Sequence, residues 1–266
     1  MTLKDVLFLD TETTGIPDRS AKWYTDFADY PHVVQIAWLH GCKAESHIIR
    51  PDGWEIPDLA QQVHGITTEY AKEHGEPFAL VVDMLIQDCH EAGLICGHNI
   101  HFDTGIIKAN ILRELGREYY DANDVESALY KGKRIDTMRS TMKWVDARKN
   151  WGRLKFPNLG ELYDHCFPGE TFGAHDALED CKAVRRCLPV IIDAGIIELK
   201  VKEYPEADTP ETETKNAKPD EKPANAPKIV SNSENDKLHV QQEKAPENEN
   251  LKKITAVSEL LEQNDF

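Results

Sequence analysis

Near the start of the chain four consecutive large apolar residues, Val6-Leu7-Phe8-Leu9, run directly into the acidic residues Asp10 and Glu12. A half-exposed strand would alternate apolar and polar side chains, so an unbroken apolar run of this length reads as a strand buried on both faces. The polar turn Thr13-Thr14-Gly15 ends it. Residues 32–39 and 42–50 read as two further strands, and residues 94–97 as a fourth, short one. After that strand Phe102, Ile106, Ala109 and Leu115 fall at helical spacing on one face. Ala177, Cys181, Val184 and Leu188 mark a last helix, expected to end near Asp193-Ala194-Gly195. This alternation of strands and helices predicts an α/β domain.

Apolar runs recur to about residue 200 and then stop. Residues 201–250 are rich in Glu, Lys, Pro and Asn and have few large apolar side chains, too few to offset the entropy of ordering them. The expected organisation is therefore one domain over 1–200, a flexible charged linker over 201–250, and a short segment over 251–266. In that last segment Leu251, Ile254, Val257, Leu260 and Leu261 share one helical face. It reads as an amphipathic helix that docks on a partner or folds back on the domain. No apolar run approaches the roughly 20 residues that span a bilayer, and no signal-peptide pattern is present, so a cytoplasmic setting without membrane contact is expected. The six cysteines form no C-x-x-C pair and read as reduced, structural thiols.

The formal net charge of −16 opposes a polyanionic partner. Residues 131–155 run the other way, with nine basic residues against Asp136 and Asp146. That stretch is either a solvated helix face or, with Trp144, Trp151 and Phe156 interleaved, a track for phosphates and bases.

Three acidic clusters could carry chemistry. A strand period of two places Asp10 and Glu12 on one face, and two such carboxylates side by side call for a divalent cation unless Glu12 turns to solvent. Asp103 opens the helix after the fourth strand, where it serves either as a cap or as part of a site at the carboxyl edge of the sheet. Asp180 lies one turn into the last helix beside its apolar face. His175, just before that helix, is a capping or surface histidine or a base that reaches whatever Asp180 binds.

In order and local context these residues resemble the DnaQ-like, or DEDD, 3′–5′ exonucleases, a family that includes the proofreading epsilon subunit of bacterial DNA polymerase III. The likeness is carried by Asp10-Thr11-Glu12-Thr13-Thr14-Gly15, by Gly97-His98-Asn99 with Phe102-Asp103, and by His175-x-Ala177-x-x-Asp180. His175, five residues before Asp180, is similar to the histidine branch of the family. Segments 63–67, 135–137 and 159–163 add to the likeness, which covers residues 4–195.

The resemblance implies a ribonuclease H-like mixed sheet flanked by helices, to which the composition adds a disordered acidic C-terminal tail. It implies that Asp10, Glu12, Asp103 and Asp180 bind two Mg²⁺ or Mn²⁺ ions, that His175 is the general base, and that Thr13, His64 and Asn99 contact substrate. The implied activity is release of nucleoside 5′-monophosphates from nucleic-acid 3′ ends, DNA favoured over RNA, in proofreading or repair. An RNA-trimming exoribonuclease and a non-catalytic adaptor are the alternatives. A polymerase or another replication protein is the implied partner of the C-terminal segment. The chain departs from the family in a longer stretch over 16–31, whose Trp23, Tyr24, Phe27 and Tyr30 either pack on the domain or stack on an unpaired base.

Overall fold

The computed structural model describes residues 3–198 except 131, 133 and 150. The expected linker and C-terminal helix lie outside the described residues. Five strands form one mixed sheet: β1 (Val6–Thr13), β2 (Val33–His40), β3 (Lys43–Ile48), β4 (Leu94–Gly97) and β5 (Arg134–Asp136). Their order is β3-β2-β1-β4-β5. Strand β1 pairs antiparallel with β2 and parallel with β4, so the apolar run at its start occupies the centre of the sheet.

Both faces of that run are covered, as its composition demands. Leu7 and Leu9 point into a cluster with residues of α3 (Phe78–Glu91) and α4 (Ile100–Glu114). Val6 and Phe8 point into a second cluster with Ala177, Cys181, Val184 and Leu188 of the last helix. That helix, α9, runs Ala177–Asp193, with Asp176 capping its first turn through Leu178 N–H and Glu179 N–H. The result is a ribonuclease H-like sheet between two helical layers, and a side chain's parity along β1 decides which layer it meets.

Strands β2 and β3 differ from the expected bounds by a few residues at their ends. Helices α1 (Asp58–His64), α2 (Thr68–His74), α5 (Gly116–Ala122), α6 (Val125–Ala128), α7 (Thr137–Val145) and α8 (Leu159–Cys166) complete the fold. All six cysteines are free. No helix among the described residues is long and apolar enough to cross a membrane.

The 16–31 stretch packs on the domain. Trp23, Phe27 and Tyr30 lie against the α3–α4 core, Trp23 stacks on Tyr120 at 6.1 Å, and the Lys108 ammonium sits 4.9 Å from the Trp23 ring. Buried Asn110 donates to the Pro31 carbonyl and accepts from Val33 N–H, while Arg113 donates to the Tyr30 carbonyl. Tyr24 stays about half exposed, edge-on to Trp23.

Candidate active site

Strand β1 outruns its neighbour β4: their pairing ends at Phe8 and Cys96, while β1 continues to Thr13 beside β2. Past that point the chain turns from β4 into α4 through Gly97, where a Cβ would come within 2.8 Å of the Leu9 carbonyl, and through Asn99, at φ 71°. The turn brings the first turn of α4 alongside the end of β1. There Thr11, on the odd-numbered face, donates to Asp103 Oδ1 from its backbone N–H at 3.1 Å and from its hydroxyl at 2.8 Å. Asp103 is buried and does not cap the helix, since the N-cap position belongs to Asn99.

Asp10 and Glu12 continue the even-numbered face that Val6 and Phe8 present to α9. Parity therefore points them at Asp180, and carboxylate oxygens of Asp10, Glu12 and Asp180 lie within 4.8 Å of one another. The β1–β2 register shifts between Glu12 and Thr13, and such an irregularity commonly re-aims side chains at a strand end. Gln35 of β2 ties the other side, accepting from Ala177 N–H at 3.3 Å and donating to Asp176 at 3.4 Å.

Four carboxyl groups so placed suppress one another's ionisation. Burial is the largest cause at each. It holds the Asp10 pKa well above its usual range, with Asp103, Asp180 and Glu12 adding repulsion, and it pushes Glu12 up to about 8. Asp180 is pushed up to about 7, as is Asp103 despite its bonds from Thr11. Among the described residues one buried oxygen of Asp180 has no hydrogen-bond partner. Hard oxygen donors, excess negative charge and an unpartnered buried carboxylate oxygen together fit a divalent cation.

His175 precedes α9 in the left-handed region at φ 67°, a conformation that costs a non-glycine residue energy and is over-represented at functional sites. Its backbone N–H donates to Asp180. The imidazole is exposed at the rim, yet its neighbours crowd it enough that desolvation lowers its pKa below 6.5, so it is neutral at pH 7.

Burial brings the pKa of His64, at the end of α1, down to about 4, and the nearby His175 adds a smaller opposition to its protonation. Ile66 N–H donates to its Nδ1 at 3.1 Å, which puts the single proton of the neutral ring on Nε2. Among the described residues the buried Nε2 has no partner at full hydrogen-bond geometry, though the Thr13 backbone is close enough to favour its proton. Thr13 uses its hydroxyl on the Gly15 carbonyl at 2.7 Å, and the Asn99 side chain makes no capping bond.

A family model described as exonuclease, of the RNase T type, matches residues 7–188 and so takes in every one of these groups. The chain belongs to this exonuclease family. Among solved structures the exonuclease resembles Exonuclease I of E. coli in complex with a dA16 oligonucleotide. That match has 20% identity and a TM-score of 0.52, covering 71% of this chain and 40% of that one. Exonuclease I from Methylocaldum szegediense matches at 18% identity and a TM-score of 0.52, again over 71% and 40%. The zinc-bound E. coli ExoI–ssDNA complex matches at 20% identity and a TM-score of 0.52, with the same two coverages. The matched region is thus about two fifths of those chains, and at this identity the likeness is one of fold. No curated relative matches.

Two supporting groups have no local signal in the sequence. Thr11 is an unremarked middle residue of its motif until Asp103 arrives beside it, and Gln35 sits in an apolar strand among Val34, Ile36 and Ala37. Asp176 is visible in the acidic run after His175, but its field on Asp10, Glu12 and Asp180 emerges only in the folded chain.

Proposed function

We propose that this protein is a divalent-metal-dependent 3′–5′ exonuclease that releases nucleoside 5′-monophosphates from single-stranded DNA ends. The observation that carries this reading is the meeting of Asp10 and Glu12 from β1 with Asp180 from α9 within 4.8 Å, Asp103 being held against Thr11 beside them. Asp10, Glu12 and Asp180 would hold the cations, with Asp103 completing the set. When bound, Mg²⁺ or Mn²⁺ supplies Lewis acidity for the phosphodiester and the attacking water.

The chain's own groups do the rest. His175, neutral at physiological pH, accepts the proton of the attacking water at an imidazole nitrogen, and its backbone bond to Asp180 keeps that ring at the rim of the carboxylate cluster. His64, with its ring proton on Nε2 beside the Thr13 backbone, would turn that N–H to an oxygen of the terminal nucleotide. Asn99, at the head of α4, and Thr13, at the end of β1, would contribute further substrate contacts.

The preference for DNA is supported by the oligonucleotide held by the similar Exonuclease I. A proofreading role with a polymerase partner rests on the motif resemblance to the epsilon subunit. The deciding experiment offers purified protein 5′-labelled single-stranded DNA, a mismatched primer-template and a short RNA, in Mg²⁺, Mn²⁺ or chelator. The expected result is a metal-dependent ladder shortening from the 3′ end, strongest on single-stranded DNA. Preferred cutting of RNA would transfer the assignment to RNA trimming, selective removal of the mismatch would favour proofreading, and no cleavage of any substrate would sink the proposal.

A further inference from the structure

Residues 147–149 and 151–155 pair as a hairpin that the cleavage chemistry does not use. Lys155 N–H donates to the Ala147 carbonyl at 2.9 Å, Lys149 N–H to the Arg153 carbonyl at 2.8 Å, and Arg148 bridges Leu154 between them. Gly152, at φ 81°, closes the loop by donating to the Lys149 carbonyl at 2.7 Å, the positive-φ position that three-residue hairpin loops reserve for glycine. Trp151 in that loop is 72% exposed, the most exposed large apolar side chain of the described fold. Tryptophan in a stable domain is ordinarily well buried, so one held out on a turn suggests an external partner.

The charges around it narrow the partner. Three cations of the basic stretch face carboxylates of the chain itself: Arg139 with Asp136, Arg148 with Asp146, and Lys155 with Glu161. On the hairpin, Lys149 sits 5.5 Å from the Trp151 ring, and Arg153 is exposed directly across from it, so these two cations share a face. An aromatic ring beside two cations, on a chain of net charge −16, offers a nucleotide both contacts it needs in one place, a face for the base and positive charge for the adjoining phosphates.

Position completes the argument. Just beyond the hairpin's foot, the Pro157 carbonyl accepts from His98 Nε2 at 2.9 Å, and His98 precedes Asn99 at the head of the helix carrying Asp103. Burial lowers the His98 pKa to about 4, so the ring stays neutral and the link is a fixed bond. The strands reach about 13 Å from foot to loop at some 3.3 Å per residue.

Building on the function proposed above, we infer that this hairpin is a binding arm for the single strand whose 3′ end lies in the carboxylate cluster. One base stacks on Trp151, and the adjoining phosphates pair with Lys149 and Arg153.

The test compares the full-length protein with Trp151→Ala and Arg153→Glu, both surface changes checked by thermal melting. Fluorescence anisotropy in chelator measures affinity for labelled dT12 and dT3, and hydrolysis of the small substrate thymidine 5′-monophosphate p-nitrophenyl ester reports the site itself. Trp151→Ala should weaken dT12 binding by about 5- to 100-fold, the range for one lost base stack, and leave dT3 binding and ester hydrolysis unchanged. Arg153→Glu should reduce the slope of log affinity against log salt by about 0.7 or more. Equal dT12 affinity for wild type and both variants, or equal losses on dT12 and dT3, would overturn the arm. Wild-type protein that binds dT12 through Trp151 yet hydrolyses neither ester nor DNA would keep the arm and refute the exonuclease reading.

Discussion

Glu12 keeps its proton to about pH 8, and Asp103 and Asp180 keep theirs to about pH 7, because burial and mutual repulsion make the ionised forms costly. In the unfolded chain these groups release protons near pH 4, so between about pH 4 and pH 8 the folded state binds more protons than the unfolded one. Stability of the metal-free protein must therefore fall as pH rises through that window. Melting curves in chelator should show this decline, and Mn²⁺ should reverse it. Asp10→Asn, which removes one repelling charge, should raise the metal-free melting temperature at pH 8 while cutting turnover by about 10²–10⁴-fold. A melting temperature that climbs with pH in chelator would contradict the coupled cluster. His175→Ala should lower kcat by about 10²–10⁴-fold with Mn²⁺ affinity retained, because the imidazole is assigned to the proton and not to the cation. Calorimetric titration checks the second half of that statement. At this scale the carboxylates were legible from sequence because each stands in a compact local motif. The groups that steer them were not, since Thr11 meets Asp103 across 92 residues and Gln35 meets Asp176 across 141.

Among the elements, the central strand and the last helix could be read directly, one from an unbroken apolar run and the other from an apolar stripe at helical spacing. Strand β5 has three residues, too few to show any alternation. Helix α4 shows its period through Phe102, Ile106 and Ala109 but not the extent of its burial: Asp103, Thr104, Lys108 and Asn110 are buried along with its isoleucines, so polar residues do not mark a solvent face. Lys108 is tolerated there through a 2.7 Å bond to Glu126, and Asn110 through its role as a clasp for the 16–31 stretch. Replacing Asn110 by Ala would strand Val33 N–H and the Pro31 carbonyl, and should destabilise the protein by about 2–3 kcal/mol in urea denaturation. The loss should fall on the anchoring of 16–31, seen as faster proteolysis within that stretch. Unchanged urea stability would mean that water replaces the side chain and that the clasp matters little.

For the molecule as a whole, the matched region ends at residue 188 and every group of the site lies within the described residues. Removing residues 203–266 should therefore leave the melting temperature and turnover on a short oligonucleotide unchanged, with any loss confined to capture of a replication partner. A clear drop in melting temperature would show that the C-terminal segment packs on the domain. The arrangement of β1 against α9 has an effect during synthesis. Cys181 reaches the Phe8 carbonyl at 3.6 Å across 173 residues of sequence, so the strand bearing Asp10 and Glu12 is made well before the helix bearing Asp180. At about 5–20 residues per second, a ribosome needs roughly 10–35 seconds to bring the second half of the cluster within reach of the first. Throughout that interval the carboxylate cluster is incomplete, so the cleavage proposed for it has to wait until the last helix has been made.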